Sequence, residues 1–415
     1  MPQPGDRGNP EASLAKADAL SQSGAMTPSA RQAAAIAILD RIIGGEPAER
    51  ALTGWARSAR YAGSGDREAV RDWVFRALRQ RRSALAWSGD MVESGRALML
   101  GMLKMDGGRP EGWTGTHHTP SPPTDTEAAR LSAPSPVMDR ATAGDCPDWL
   151  LPLFDVALGG QADAALARMR DRAPVFLRCH ARRADRKALI AELAETGIES
   201  RPHPLASHSL ELSGTTRRLK QTAAFREGRV EVQDAASQAV VEALAAHLPP
   251  GARVLDYCAG GGGKALALAA LGFSVSAHDI DQKRMRDLPN RAARSGDPIP
   301  LIERPAGAWP CVLADAPCSG SGSWRRAPEA KWNLTPDRLA ELQRTQDAIL
   351  DACNDLVAPG GMMAYATCSL LSEENASRIS AFLSRHQNWQ EVARHFWTPL
   401  DGGDGFFLSL LRKTD

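Results

Sequence analysis

Val254-Leu-Asp256-Tyr-Cys258-Ala-Gly-Gly-Gly-Gly263-Lys264 is the stretch that decides the fold. A short apolar run closes on an acid, enters a glycine loop and opens into an alanine- and leucine-rich helix. Downstream, Ser274–His278, Cys311–Ala314 and Met362–Thr367 read as further short strands, and Ile299–Glu303 as another. Helical patterns lie between them. The longest is Pro336–Leu356, with Leu339, Leu342, Ile349, Leu350, Cys353 and Leu356 on one side. This alternation predicts an α/β domain, a mostly parallel sheet with helices on both faces. Ligands of such sheets sit at the carboxyl ends of the strands.

The chemistry-bearing residues fall at those ends. Ala259, Gly260, Gly261, Gly262 and Gly263 form a loop whose amides can approach a ligand closely, at a helix N-terminus that favours negative charge. Asp256 and Cys258 flank it. Asp279 closes the next strand, where an acid can accept both hydroxyls of a ribose. The loop runs into Lys264-Ala265, not the Lys-Ser/Thr of a phosphate cradle. A cofactor with a ribose and no phosphate, such as a methyl donor, fits better. Lys264 opposes the helix dipole, so it either lies along the surface or aims into the cleft.

Two segments place a cysteine just past a strand: Asp315-Ala-Pro-Cys318-Ser-Gly320 and Ala366-Thr-Cys368-Ser369. Small polar residues follow each thiol, unlike Cys311 and Cys353, which sit inside apolar patterns and read as inert core. A free thiol with pKa about 8.5 is mostly protonated at neutral pH, so a nucleophilic role needs local activation.

Composition bounds the rest. The 415 residues suit two or three domains, and 43% hydrophobic content supplies their cores. A net charge of +1 marks no global polyanion field. Seven cysteines without a CxxC pair argue for reduced thiols, a cytoplasmic protein and no structural zinc. No apolar run approaches the roughly 18 residues of a membrane span, and the N-terminus lacks a signal-peptide core.

Residues 1–25 read as a disordered tail. A helical region follows from Thr27-Pro28, with Ile36, Leu39, Ile42 and Ile43 at helical spacing. Val70, Trp73, Val74, Ala77 and Leu78 make a second apolar face, backed by Arg71, Arg76, Arg79, Arg81 and Arg82. Residues 106–137, with the pair His117-His118, read as a long solvated loop. Order resumes at Cys146-Pro-Asp-Trp149. Within 168–229, fourteen Lys/Arg face seven Asp/Glu, while the remaining residues sum to a negative charge. Arg178, Arg182, Arg183, Arg186 and Lys187 cluster there, as do Arg217, Arg218 and Lys220. Such a run is either a solvated face or a phosphate-binding surface.

These motifs, in this order, resemble the RsmB/Nop/Sun family of RNA cytosine-C5 methyltransferases. Val232-Gln-Asp-Ala-Ala-Ser237 resembles the family's entry to its catalytic domain, and Asp256–Lys264 its S-adenosylmethionine loop. Trp324-Arg-Arg-Ala-Pro-Glu-Ala-Lys-Trp332, Pro359-Gly-Gly-Met-Met-Ala-Tyr-Ala-Thr-Cys-Ser369, Glu373-Glu-Asn375 and Asp404-Gly-Phe-Phe407 are similar to its later motifs. The N-terminal helices, with Asp66-Arg67 and Val74-Phe-Arg-Ala-Leu-Arg79, resemble the NusB-like domain of the bacterial 16S ribosomal RNA members. Two positions depart from the pattern. The family loop Cys-Ala-Ala-Pro-Gly-Gly-Lys-Thr becomes Cys258-Ala-Gly-Gly-Gly-Gly-Lys264-Ala265, and His180 in Val175-Phe-Leu-Arg-Cys-His180 stands for a common asparagine. Neither Asp297 nor Glu303 suits the family's adenine-contacting acid.

The resemblance implies a Rossmann-like class I methyltransferase domain over 233–415. A small α+β RNA-binding region over 144–232 and an all-helical NusB-like domain over 26–143 would precede it. It implies that Cys368 attacks C6 of the target cytosine and that Asp315 holds the N3/N4 edge. Cys318 would assist proton loss and release, and Lys264 would orient the base. Arg325, Arg326 and Lys331 join Arg178, Arg182, Arg183 and Arg186 as expected RNA contacts. The expected partner is 16S ribosomal RNA, bound by a monomer that needs no metal. Two alternatives stand beside this: a DNA cytosine methyltransferase with Cys318 as nucleophile, and a non-catalytic RNA-binding assembly factor.

Overall fold

The computed structural model describes residues 25–414 apart from His117, Thr215 and Arg217. The expected tail up to residue 24, His117 of the histidine pair and Arg217 of the basic cluster lie outside the described residues. The chain divides into two compact units between Asp148 and Trp149.

The first unit is helical: α1 (Pro28–Ile43), α2 (Ala48–Ser58), α3 (Ser64–Arg79), α4 (Arg81–Ser88), α5 (Gly95–Met105) and α6 (Asp125–Ser132). Thr27 caps α1 by accepting from the Ala30 N–H, with Pro28 at the first turn. Ala35, Ile38, Leu39 and Ile42 of α1 pack with Val70, Val74, Ala77 and Leu78 of α3 in one core. Gly101 lets α5 lie against α4, because a Cβ there would sit 1.7 Å from the Ala84 carbonyl oxygen.

One expectation is corrected in this unit. The stretch 106–137 is not a plain loop, for it contains α6, which starts in a Thr124/Glu127 capping box. Glu127 pairs with Arg96, and buried Trp113 donates its indole N–H to Gln32. No α6 residue is buried, so the helix carries no apolar period to read. The basic face of α3 and α4 is also engaged within the chain. Arg71 pairs with Glu49, Arg76 with Asp106, Arg81 with Glu93 and Arg82 with Asp148, while Arg79 is buried.

The second unit opens with α7 (Leu151–Leu158) and α8 (Ala162–Met169). The helical run Asp148–Met169 reaches 22 residues and a mean hydropathy of 1.2, longer than the sequence reading allowed for. It is not one straight helix, since Gly159 at φ +54° and a 3₁₀ turn break it. A four-stranded antiparallel sheet follows, in the order β2 (Glu199–Pro202), β3 (Ser209–Ser213), β1 (Val175–Cys179), β4 (Val230–Val232). Helix α9 (Arg186–Glu195) buries Leu189 and Leu193 against Leu177, Leu210 and Leu212.

The chain then enters α10 (Ala235–Ala245) and the larger sheet. Its elements are β5 (Arg253–Asp256), α11 (Gly263–Ala270), β6 (Ser274–Ala277), α12 (Leu288–Ser295), β7 (Trp309–Asp315), α13 (Pro336–Leu356), β8 (Val357–Thr367), α14 (Ala376–Arg385), β9 (Trp389–Trp397) and β10 (Phe406–Lys413). The order is β6-β5-β7-β8-β10-β9, parallel through β8 and antiparallel beyond. Successive residues alternate between faces. Val254, Cys311 and Leu313 pack under Val240, Leu266 and Leu288, whereas Leu255, Val312 and Ala314 pack under Leu350, Cys353 and Phe382. Helices therefore cover both faces, as expected. The strand expected at Ile299–Glu303 reduces to one parallel bridge, Leu301 to Ala277, at the sheet edge.

Candidate active site

Chain topology brings three strand ends together. β5 is central, and the chain passes from β6 on one side to β7 on the other, which opens a crevice at their carboxyl ends. Register levels the next pair: Asp315 on β7 lies opposite Ala366 on β8. Cys318 and Cys368, each a few residues further on, come to the same height. A cleft of about 520 Å³ is lined there by Cys258, Ala259, Gly260, Gly261, Gly263, Lys264, Asp315, Cys318 and Cys368, with Gln233, Arg284, Arg338 and Leu342 at its walls.

The glycine loop is shaped by its backbone. Gly262 has φ +78°, and a Cβ on it would meet a Leu288 methyl at 2.3 Å, so a side chain there would strain the backbone and displace Leu288. Asp279 clamps the loop. Its Oδ2 accepts the Gly260 N–H at 2.8 Å, its Oδ1 accepts the Asp281 N–H at 3.0 Å, and Arg284 pairs with it at 3.2 Å. Asp256 lies behind the loop, 1% exposed, and neither of its carboxylate oxygens has a hydrogen-bond partner. Burial, with the nearby Asp315 charge, pushes its pKa up to about 7.

Lys264 points inward. Its ammonium donates to Asp315 Oδ2 at 2.6 Å and sits 4.8 Å over the Phe406 ring. Burial works against its charge, but Asp315 outweighs that and raises its pKa. The thiols of Cys318 and Cys368 are 3.5 Å apart, both free and half-buried. Either sulfur can donate its S–H to the other at this distance. That bond lowers the Cys368 pKa against the cost of burial and the Asp315 charge, helped by Lys264 and by Ser323 at 4.0 Å. The same bond and burial raise Cys318. Thiolate character thus belongs on Cys368. Cys311 and Cys353 are fully buried, and burial raises both. Cys258 lines the cleft, and burial raises it too.

The expected RNA contacts are not brought to the cleft as a group, and three are corrected. Arg178 is buried and donates to Gln233 and, at 3.0 Å, to the Gly263 carbonyl, while burial lowers its pKa to about 10. Arg325, 1% exposed, donates to the Gly403 and Arg172 carbonyls. Lys331 is buried with its ammonium over the Trp332 ring. None of these three can meet a phosphate. Arg326 is exposed but joins Asp234 and Asp404, at 2.7 Å each. Arg182 donates to the Ala269 and Ala270 carbonyls and to Asp297, Arg183 to the Ser295 carbonyl and Arg186 to the Ser207 carbonyl. Asp297 also bonds His180 at 2.7 Å, which removes it from any adenine contact. The sequence reading missed Arg284 and Arg338 as cleft residues. Arg338 sits in the first turn of the expected helix Pro336–Leu356, and that position was the available signal.

Comparison with known proteins gives the chain's family. Residues 243–408 match the family model described as 16S rRNA methyltransferase RsmB/F, and residues 146–217 match the RsmF/B-like ferredoxin-like domain. The ribosomal RNA small subunit methyltransferase B of Xanthomonas campestris is 34% identical over 292 residues, covering 64% of this chain and 66% of that protein. Its namesake from Xylella fastidiosa strain 9a5c is 33% identical over 294 residues, covering 64% and 68%. The chain thus spans about two thirds of the length of these curated relatives. The crystal structure of PH0851 shares the fold with a TM-score of 0.73 at 22% identity, over 94% of this chain and 99% of that one. A methyltransferase homologue from Pyrococcus horikoshii gives a TM-score of 0.57 at 24% identity, over 66% and 98%. On its matched domains and its identity to these relatives, the chain belongs to the RsmB/F family of 16S ribosomal RNA methyltransferases.

Proposed function

We propose that this protein transfers a methyl group from S-adenosylmethionine to C5 of a cytosine in 16S ribosomal RNA, through a covalent bond from Cys368 to C6. The observation that carries the reading is the pair of free thiols 3.5 Å apart, in one cleft with the Lys264–Asp315 pair and the glycine loop. Free thiols throughout the described residues suit a cytoplasmic monomer.

The residues present fit the cofactor. The loop from Ala259 to Gly263 offers backbone rather than side chains to the cleft, and Asp256 has two buried oxygens without a partner. Asp279 would hold the ribose, taking its hydroxyls in place of Arg284. S-adenosylmethionine would supply an electrophilic methyl group on a sulfonium.

C5 of cytosine is too weak a nucleophile to react alone. The Cys368 thiolate would add to C6 and push the C5=C6 electron pair to C5, which would take the methyl group as the methyl–sulfur bond of the cofactor breaks and its electron pair returns to that sulfur, leaving a neutral thioether. Asp315 holds the N3/N4 edge, with Lys264 beside it. The C5 proton would then pass to the Cys318 sulfur, once that thiol has given its own proton to solvent; the C5–H electron pair would re-form C5=C6 as the C6–S bond breaks, and Cys368 would depart as thiolate. The base must be unstacked to enter, which suits single-stranded or bulged RNA. At the mouth, Arg338 and Arg284 are candidate phosphate contacts, with exposed Arg183 further out.

Denaturing gel electrophoresis with labelled RNA and cofactor tests this. Cys318→Ala should accumulate a slow-migrating protein–RNA band, and Cys368→Ala should give none. The reverse pattern would make Cys318 the nucleophile.

A further inference from the structure

We infer that Glu374, with Asn375 beside it, is a positioning residue that fixes the spacing of the two thiols and their division of labour. The inference rests on Cys368 being the attacking thiol.

Glu374 is completely buried, and its carboxylate joins the two thiol loops. On one oxygen it accepts the Ser319 N–H at 2.8 Å and the Gln346 amide at 3.0 Å. On the other it accepts the Ser319 and Ser369 hydroxyls, at 2.5 Å each. Ser319 follows Cys318 and Ser369 follows Cys368, so one side chain ties the residue after each thiol. The opposite flanks are held as well. Gln346 donates to the Pro317 carbonyl at 3.0 Å, ahead of Cys318. Asn375 accepts the Thr367 hydroxyl at 2.5 Å and donates to the Ser369 carbonyl at 2.9 Å, bracketing Cys368 on both sides.

Every hydrogen-bond donor to Glu374 is neutral. A carboxylate buried among neutral donors is costly to place, and a network meant only to join two loops needs no charge. At the spacing this network holds, the Cys368 hydrogen bond first and burial second disfavour ionisation of Cys318, and the Glu374 charge adds a smaller push in the same direction. Cys318 then stays a donor and the thiolate stays on Cys368. A displacement of about 1 Å in such a pair can cost on the order of 100-fold in rate.

The test uses the full chain carrying Glu374→Gln, which keeps the shape and removes the charge. Three quantities are read: single-turnover methyl transfer, cofactor affinity by calorimetry, and iodoacetamide labelling of each cysteine against pH by mass spectrometry. Transfer should slow by on the order of 10- to 100-fold, with cofactor affinity unchanged. Labelling, which should favour Cys368 in the unaltered protein, should spread to Cys318, and the Cys368 profile should move to higher pH. An unchanged labelling ratio and profile would overturn the inference, even if transfer slowed. If Glu374→Gln does not fold, Ser369→Ala cuts only the tie on the Cys368 side and should move labelling and rate in the same sense by less; no movement overturns the inference. Cys368→Ala run in parallel separates the two levels, since transfer surviving there would overturn the attacking-thiol reading and this one with it.

Discussion

At the ends of β5, β7 and β8, the acid, lysine and thiols named from sequence meet in one cleft. In the basic stretch 168–229, Arg178, Arg182, Arg183 and Arg186 turn instead to carbonyls, a glutamine amide and a carboxylate of their own chain. Both regions lie in the second unit, and both were read from residue type and spacing alone. The difference lies in what fixes a side chain's destination. A residue just past a parallel strand is delivered to the carboxyl edge by the sheet itself, whatever its chemistry. An arginine on a surface element has a long arm, and its partner can lie 85 residues away, as Gly263 does from Arg178, or 115 away, as Asp297 does from Arg182.

The sharpest way to break this comparison is to remove the strand-end thiol. Cys368→Ala should reduce methyl transfer by on the order of 10³-fold or more, the scale seen when a catalytic nucleophile is lost. Quenched single-turnover assays read it directly. A loss of that size from any single arginine in 168–229 would mean that the two regions do not differ in kind.

Next in size is Asp279→Ala. It removes a buried acceptor that holds the Gly260 amide, and a charge-assisted bond of this kind contributes about 1.5–3 kcal/mol. Cofactor affinity should fall roughly 10- to 100-fold by that arithmetic. Unchanged affinity in calorimetry would take Asp279 out of the cofactor site. Arg178→Ala supplies the matching test in the other region. It strips a partner from Gln233 and from the Gly263 carbonyl and should lower stability by about 1–3 kcal/mol. Denaturant unfolding should register that loss, and the salt dependence of RNA binding should not change.

Much of the large sheet was legible because its period is written locally. The helix Pro336–Leu356 was read to the residue, since Thr335 caps it and apolar positions recur along it. Helix α6 was not legible, because it buries nothing and is held by a cap and the Arg96 pair. The strand at Ile299–Glu303 failed for another reason: its pairing stops at one bridge, in which Ala277 bonds the Pro300 carbonyl and the Ile302 N–H on either side of Leu301. Of the site, the thiols, Lys264 and Asp315 were visible in sequence. The role of Glu374 was not, because a hydrogen-bond network linking three loops has no linear spacing.

Asp256 sharpens the comparison from the side of stability. Its folded pKa of about 7 lies above the ordinary value near 4. Between those values the folded protein holds a proton that the unfolded chain has released, so stability falls as pH rises through that window. Asp256→Asn should remove the slope and stabilise the protein above pH 7 by on the order of 1–3 kcal/mol. Thermal melts at pH 5 and pH 8 measure it. A slope that survives the substitution would place the titration elsewhere.

The smallest effect decides where the RNA backbone runs. Arg338 lines the cleft that holds both thiols, and its ion pair with Glu341 is solvent-exposed on both sides. Such a pair contributes little, so exchanging it for a phosphate costs almost nothing. Arg182 is also exposed, but its guanidinium holds two carbonyls and the buried Asp297 at once. Moving it to a phosphate would leave those acceptors unmet. Each lost phosphate contact lowers the slope of log affinity against log salt by about 0.7–0.9. Arg338→Gln should show a loss of that size, and Arg182→Gln should leave the slope at the unaltered value while lowering stability. Binding titrations at several salt concentrations separate the two. A slope that drops with Arg182→Gln and not with Arg338→Gln would move the RNA path from the cleft mouth to the small sheet, and the basic stretch would then be the phosphate surface that its composition suggests.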